Sequence, residues 1–180
     1  KGYFSQEGAI KEAKKFDPHK YDTYVRGVTA YSTLGWFEDP ILSSMLSYSD
    51  HDLVELIIHE SVHATLYIAG NTDFNERLAS FLGGKGVEQF YLDKEGEDSP
   101  TLKLIRKENA DKKRFSKFIS AEIKTLKNWY ETKIKAKKDS GEAFRKAKKS
   151  RLKQIQKKFN KEIAPKMEAG LYTYFDKIEL

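Results

Sequence analysis

An H-E-S-V-H pattern at residues 59–63 constrains this chain more than any other feature of its sequence. It lies within residues 52–81, where apolar side chains recur at helical spacing. Because residues four apart share one face of an α-helix, His59 and His63 present two imidazoles to a single point. Two such nitrogens make half of a tetrahedral zinc site. The pattern therefore predicts that His59 and His63 are zinc ligands.

Glu60 directly follows the first predicted ligand, where its carboxylate can reach a water held on the metal. Such a water loses a proton near neutral pH, so Glu60 is the predicted catalytic base. The alternative is an ordinary core helix that carries two histidines by chance. The chain has only 4 histidines and two of them fall in the pattern, which favours the metal interpretation.

The helix that carries the pattern has clear end signals. Ser49 followed by Asp52 is typical of an N-terminal capping pair, and Gly70-Asn71 predicts the end of the helix. The residues expected on its buried side are Leu53, Leu56, Ile57, Ile58, Val62 and Leu66.

A third protein ligand is expected on the next helical segment, because catalytic zinc takes three protein ligands and keeps one open position. A short turn at residues 70–73 folds that segment back beside the first helix and brings Glu76 toward the histidines. Asp73 is the alternative ligand, but it lies where a helix N-cap is expected. The remaining histidines, His19 and His51, are weaker alternatives. The apolar pattern of this second helix runs through Phe74, Leu78, Phe81 and Leu82.

Two resemblances bear on these residues. Asn75-Glu76-x-x-Ala79 resembles the N-E-x-x-A segment that supplies the glutamate ligand in thermolysin-like zinc peptidases, the gluzincins. The small Ala79 would let the two helices pack closely. Residues 31–40 (YSTLGWFEDP), 59–63 and 70–76 (GNTDFNE) resemble, in this order, three blocks of the bacterial putative aminopeptidase family. One departure is Ser61-Val62, where the family more often has Leu-Ala.

The likeness is strong over residues 1–90 and loose beyond them. It implies a zinc metallopeptidase of gluzincin type, named an aminopeptidase, that acts on a peptide substrate with Zn²⁺ as its cofactor. It also implies a bacterial cell-envelope location, periplasmic or membrane-associated. Members are usually longer at both ends, so the chain is expected to be a fragment or a trimmed form of a longer protein.

The N-terminal residues predict a small sheet. Residues 1–4 have the character of a strand tail, Ser5 caps a helix that extends to about Phe16, and Tyr21–Val28 has the β-branched and aromatic content of a strand. We therefore expect an α+β, zincin-like fold: a small sheet, the H-E-x-x-H helix pair and a long basic helical hairpin. Tyr31 is the hydroxyl placed nearest the oxyanion, although a role as a core or rim aromatic is the stronger interpretation.

Charge divides the chain. Residues 1–100 contain 9 basic and 17 acidic side chains, whereas residues 101–180 contain 24 basic and 10 acidic ones. Apolar residues at helical spacing in the second part predict two antiparallel helices broken at residues 139–141. We expect residues 1–95 to form the zincin-like catalytic part and residues 101–180 to form a lysine-rich helical hairpin packed on or appended to it.

The basic hairpin supports a rival hypothesis, in which it binds an anionic partner and the zinc site is structural or inactive. Its aromatics fall on the apolar stripe and no nucleic-acid motif is present, so no nucleic-acid partner is expected. Association with a membrane surface through the basic helices remains open. With no cysteine in the sequence, disulfides and thiolate metal sites are excluded.

Overall fold

A computed structural model of the chain describes residues 2–3, 5–18, 21–27, 43–135, 141–172 and 175. Its α-helices are α1 (Gln6–Ala13), α2 (Asp50–Thr65), α3 (Thr72–Glu95), α4 (Pro100–Lys135) and α5 (Glu142–Glu162), with short 3-10 helices at Ser43–Ser47 and Ala164–Lys166. The chain separates into two units, Lys1–Gly96 and Glu97–Leu180. The division into domains at 1–95 and 101–180 stays a prediction. No helix in the described ranges has both the length and the apolarity needed to cross a bilayer.

The predicted α+β fold is wrong, because the described residues form helices and contain no strand. Residues 2–3 and 21–27, where strands were expected, have no regular structure and are exposed. Ser5 caps α1 as predicted, by accepting a hydrogen bond from the N–H of Gly8. After α1 the chain turns, and the Tyr21 N–H donates to the Asp17 carbonyl at 3.0 Å. Strand propensity reflects how well a residue fits a paired, half-buried surface, and the described part of the chain offers residues 21–27 no partner strand.

In the first unit, α2 and α3 lie antiparallel. Late residues of α2 contact early residues of α3, as in His63 with Glu76, whereas Glu55 approaches Gly83 two turns further along α3. The prediction that α2 continues to Gly70-Asn71 is wrong. The helix ends at Thr65, and Leu66 is already extended.

The second unit contains the predicted antiparallel hairpin of α4 and α5. Phe118 of α4 packs with Ile155 and Phe159 of α5, and all three are buried. Further along, Trp129 of α4 stacks on Phe144 near the start of α5, with ring centroids 5.8 Å apart. The apolar spacing thus predicted this pairing correctly, although Ile123 is 46% exposed rather than buried.

Asp111 attaches the segment after α5 to the side of α4. Its fully buried carboxylate accepts hydrogen bonds from the N–H groups of Glu168, at 2.8 Å, and Ala169, at 2.9 Å. Arg114 donates to it at 3.1 Å. Burial alone would raise the pKa of the Asp111 carboxyl, but these donors and the Leu171 N–H outweigh it and hold the pKa below its usual value.

Candidate metal centre

The capping pair at the start of α2 fixes the register of the helix that carries the two pattern histidines. The Ser49 hydroxyl accepts from the Asp52 N–H at 3.3 Å and donates to the Asp52 carboxylate at 2.6 Å. The capping prediction is therefore confirmed. From this start, His59 and His63 fall one turn apart near the other end of the helix, and their ring centroids are 4.8 Å apart.

Asn75 holds the loop that returns the chain toward the histidines. Its side chain is buried, and its amide nitrogen donates to the Ile68 carbonyl at 2.8 Å while its amide oxygen accepts from the Ile68 N–H at 3.0 Å. These two bonds attach the connection between α2 and α3 to the first turn of α3. Because Glu76 is the next residue, the same bonds fix the position from which its carboxylate reaches out.

Small residues allow α3 to lie directly against α2. Ala79 and Gly83 are buried on α3, and a Cβ added at Gly83 would lie 3.1 Å from the Glu55 carbonyl oxygen and 3.4 Å from the His59 Cβ. At Gly86 an added Cβ would lie 2.8 Å from the Cδ1 of Ile58. The glycines therefore allow α2 and α3 to lie closer together than larger residues at these positions would permit.

The sequence located this packing face only in part: Ala79 is fully buried, as expected, but the large apolar residues lie elsewhere. Phe74, Phe81 and Leu82, which gave α3 its apolar pattern, are exposed, whereas the buried residues of the helix are Asn75, Ala79, Gly83, Val87 and Tyr91. On α2, the expected buried residues Ile57 and Leu66 are also exposed. The small residues at positions 79 and 83 were the signal for the true face, since side chains four apart share one side of a helix.

The two helices bring His59, His63 and Glu76 together, and these side chains could hold a metal ion. The Nε2 atoms of the histidines are 3.1 Å apart. One carboxylate oxygen of Glu76 lies 3.4 Å from His63 Nε2, and the other lies 3.6 Å from His59 Nε2. The His63 side chain is 3% exposed and that of Glu76 is 56% exposed. The cluster is thus enclosed on the His63 side and open to solvent at Glu76.

Two polar atoms on α2 are buried without a hydrogen-bond partner in the described part of the chain: Glu60 Oε2 and His63 Nδ1. Buried polar atoms are nearly always paired, so unpaired ones are commonest where a site serves chemistry rather than folding. Glu60 does not belong to the ligand cluster, and it remains a candidate base through its place on α2 directly after His59.

Among the described residues, the other predicted candidates, Asp73 and His51, do not join the cluster. Asp73 lies in the first turn of α3, but Asn71 rather than Asp73 is the N-cap, so the reason given for setting Asp73 aside is wrong. His51 is at the opposite end of α2, with its Nε2 3.4 Å from the Ser49 hydroxyl. Tyr31 and His19 lie outside the described residues, and the oxyanion role of Tyr31 stays a prediction.

A comparison with known protein families supports the resemblance to the putative aminopeptidase family. A family model described as "Putative aminopeptidase" matches residues 1–179, which is nearly the whole chain. The chain belongs to this family. The match extends through the lysine-rich second unit, where the sequence likeness had seemed loose. Searches of curated proteins and of solved structures find no match to the chain.

Proposed function

We propose that this member of the putative aminopeptidase family is a zinc-dependent peptidase, with His59, His63 and Glu76 as the zinc ligands and Glu60 as the base. The observation that carries the proposal is the set of distances within the cluster. Zinc bonds of about 2.0–2.2 Å at tetrahedral angles separate neighbouring ligand atoms by about 3.3–3.5 Å. The two imidazole nitrogens are 3.1 Å apart, and they lie 3.4 and 3.6 Å from the two different oxygens of the Glu76 carboxylate, so the three side chains converge at close to that spacing.

Ordinary hydrogen bonding does not account for the same distances. The contact between the two imidazoles, at 3.1 Å, is short enough for an N–H···N bond. The two contacts with Glu76, at 3.4 and 3.6 Å, exceed the usual N–H···O range of about 2.7–3.2 Å. A carboxylate that only paired with histidine would approach closer. Two imidazoles and one carboxylate that converge on one point are a ligand set known for catalytic zinc.

A zinc ion at this site would supply Lewis-acid chemistry, acidifying a water and polarising the carbonyl of the bond to be cleaved. The residues of the chain have separate tasks. Glu60 accepts the proton of the attacking water and returns it to the nitrogen of the departing amine. The exposed side of the cluster, next to Glu76, is where a peptide can approach. Asn75 holds Glu76 in place through Ile68.

Replacement of Glu60 by glutamine tests the assignment of the base. Gln is nearly isosteric and can still hydrogen-bond a water, but it cannot accept a proton at neutral pH. Glu60→Gln should therefore keep the fold and the zinc while peptide hydrolysis falls by a factor on the order of a hundred or more. The assay compares short peptides with free and with acetylated N-termini at matched zinc content.

Glu88→Gln is the matched control. Glu88 lies on α3, is paired with Lys85 at 3.0 Å and does not belong to the cluster, so this variant should cleave peptides at the wild-type rate. Equal rates in wild type and Glu60→Gln would refute the base. Cleavage of free N-termini in preference to acetylated ones supports aminopeptidase activity, and equal cleavage of both would leave a peptidase without that specificity.

A further inference from the structure

α5 carries positive charge that its own sequence does not offset. Between Ala143 and Lys161 there are nine lysines and arginines and no aspartate or glutamate. α4 differs, since acidic residues at positions 108, 111, 122 and 131 are interspersed among its basic ones. Over its full length α5 has nine basic and two acidic residues in 21 positions, the two glutamates lying at its ends, whereas α4 has eleven basic and four acidic residues in 36 positions. Both helices therefore carry a net charge of +7, and α5 carries it at the higher density.

A part of this charge is used inside the hairpin. Glu122 of α4, which is 4% exposed, pairs with Lys158 Nζ at 2.6 Å and with Arg151 Nη2 at 3.6 Å. Hydrogen bonding and attraction to Glu122 raise the pKa of the Lys158 ammonium. Arg151 also donates to the Thr125 hydroxyl at 3.0 Å. These two basic residues thus hold α4 and α5 together.

The remaining charge includes a row of four exposed lysines along the outer face of α5. We name as the lysine stripe Lys146, Lys149, Lys153 and Lys157. Their spacing of three, four and four residues places them on one side of the helix over about 16 Å. None of the four has an ion-pair partner in the part of the chain that the structure describes. Ser150 and Gln154 lie beside them and line the same shallow groove.

We propose that the lysine stripe docks the second unit on an anionic lipid bilayer surface. Like charges one turn apart on a helix repel each other, and an external layer of negative charge removes that penalty. Clusters of four or more lysines on an amphipathic helix are typical of binding to anionic lipids. The polar groups of Ser150 and Gln154 can hydrogen-bond lipid phosphates between the ammonium groups.

Three properties of the stripe favour a lipid surface over a nucleic acid. It has no aromatic side chain on which a base could stack. It contains no arginine, the residue that forms bidentate hydrogen bonds with phosphates and with guanine. The four charges lie in one row on one side of a single helix, which suits a flat surface.

Sedimentation with lipid vesicles tests the proposal on the full chain. Wild type should bind vesicles that mix phosphatidylglycerol with phosphatidylcholine, should ignore phosphatidylcholine alone, and should be released between about 0.1 M and 0.5 M salt. The variant K146E/K149E/K153E/K157E should lose affinity by a factor on the order of a thousand, since each lysine near such a surface contributes about a fivefold factor and the four factors multiply. If the Glu variant does not fold, the variant with glutamine at the same four positions, which keeps helix propensity, is used in the same vesicle assay.

The matched control places the same change of charge on α4. Lys113, Lys117, Lys124 and Lys127 are exposed and have no ion-pair partner among the described residues, so K113E/K117E/K124E/K127E should keep affinity within about fivefold of wild type. An equal loss in both variants would show that net charge, and not the stripe, causes binding. Absence of vesicle binding, or stripe-dependent binding that is tighter to an oligonucleotide than to anionic vesicles, would overturn the proposal.

Discussion

Gly83→Ala tests whether close packing of α3 on α2 sets the geometry of the metal centre. Alanine in a helix interior is favoured over glycine by about 1 kcal/mol. At this position the new methyl group would lie 3.1 Å from the Glu55 carbonyl oxygen and 3.4 Å from the His59 Cβ. Neither is the free end of a flexible side chain, so α3 must move away by a few tenths of an ångström. Overpacking of this kind costs about 1–3 kcal/mol, so the net effect is a destabilisation of about 1 kcal/mol.

Gly84→Ala is the matched control on the neighbouring residue. A Cβ there meets only the Glu55 carboxylate oxygen, at 3.9 Å, so the full helix-propensity gain of about 1 kcal/mol should appear. The two variants should therefore differ by about 2 kcal/mol in the free energy of unfolding. Thermal and urea unfolding followed by circular dichroism measure the difference.

Zinc affinity is the second measurement on the same pair of variants. Gly83 lies two turns after Glu76 on α3, so movement of the helix should displace the Glu76 carboxylate from the histidines. Metal sites tolerate only about 0.2 Å of error in ligand distance, and we expect Gly83→Ala to weaken zinc binding about tenfold. Gly84→Ala should bind as wild type does in a chelator competition. If Gly83→Ala matched Gly84→Ala in both stability and zinc affinity, the packing argument would be refuted.

Two further predictions concern buried polar groups. Asn75→Ala should lower the free energy of unfolding by about 1–2 kcal/mol, because the N–H and the carbonyl of Ile68 both lose a hydrogen-bond partner. It should also weaken zinc binding in protein that is still folded. Unchanged zinc affinity would show that Asn75 does not position Glu76. Asp111 has a folded-state pKa below its unfolded value, so the stability it contributes is present above about pH 4 and is lost as pH falls through the folded pKa. Asp111→Asn should lower the free energy of unfolding by about 3 kcal/mol at neutral pH, and its stability should fall less steeply than that of wild type as the pH is lowered. If the stability of this variant fell with pH as that of wild type does, the acid-dependent stability could not be assigned to Asp111.

The sequence predicted the parts of the site that depend on local patterns. A capping pair and a four-residue spacing need only the helix itself, so Ser49, His59 and His63 could be placed from the sequence alone. The approach of Glu76 required one more assumption, that a short turn folds α3 back on α2. That assumption is confirmed by the contacts of Glu76 with both histidines.

Features that depend on contacts between distant segments were predicted poorly. Strand propensity at residues 21–27 could not reveal that the described chain offers this segment no partner strand. From the large apolar residues of α3, the sequence predicted that this helix packs through the face that carries Phe81. In the structure α3 packs on α2 through the face that carries Gly83, where the missing side chain lets α2 approach closely. The role of Asp111 could not be predicted, because its main-chain donors come from residues more than fifty positions later in the chain.

Metal content of the purified chain tests the central claim most directly. Wild type should contain about one zinc per chain, and Glu60→Gln should contain the same amount. His63→Ala should lose the zinc and Glu76→Ala should bind it far more weakly, whereas Asp73→Ala, which changes an exposed carboxylate outside the cluster, should retain it. Full zinc content in both His63→Ala and Glu76→Ala, measured by mass spectrometry after dialysis against a weak chelator, would contradict the proposed site.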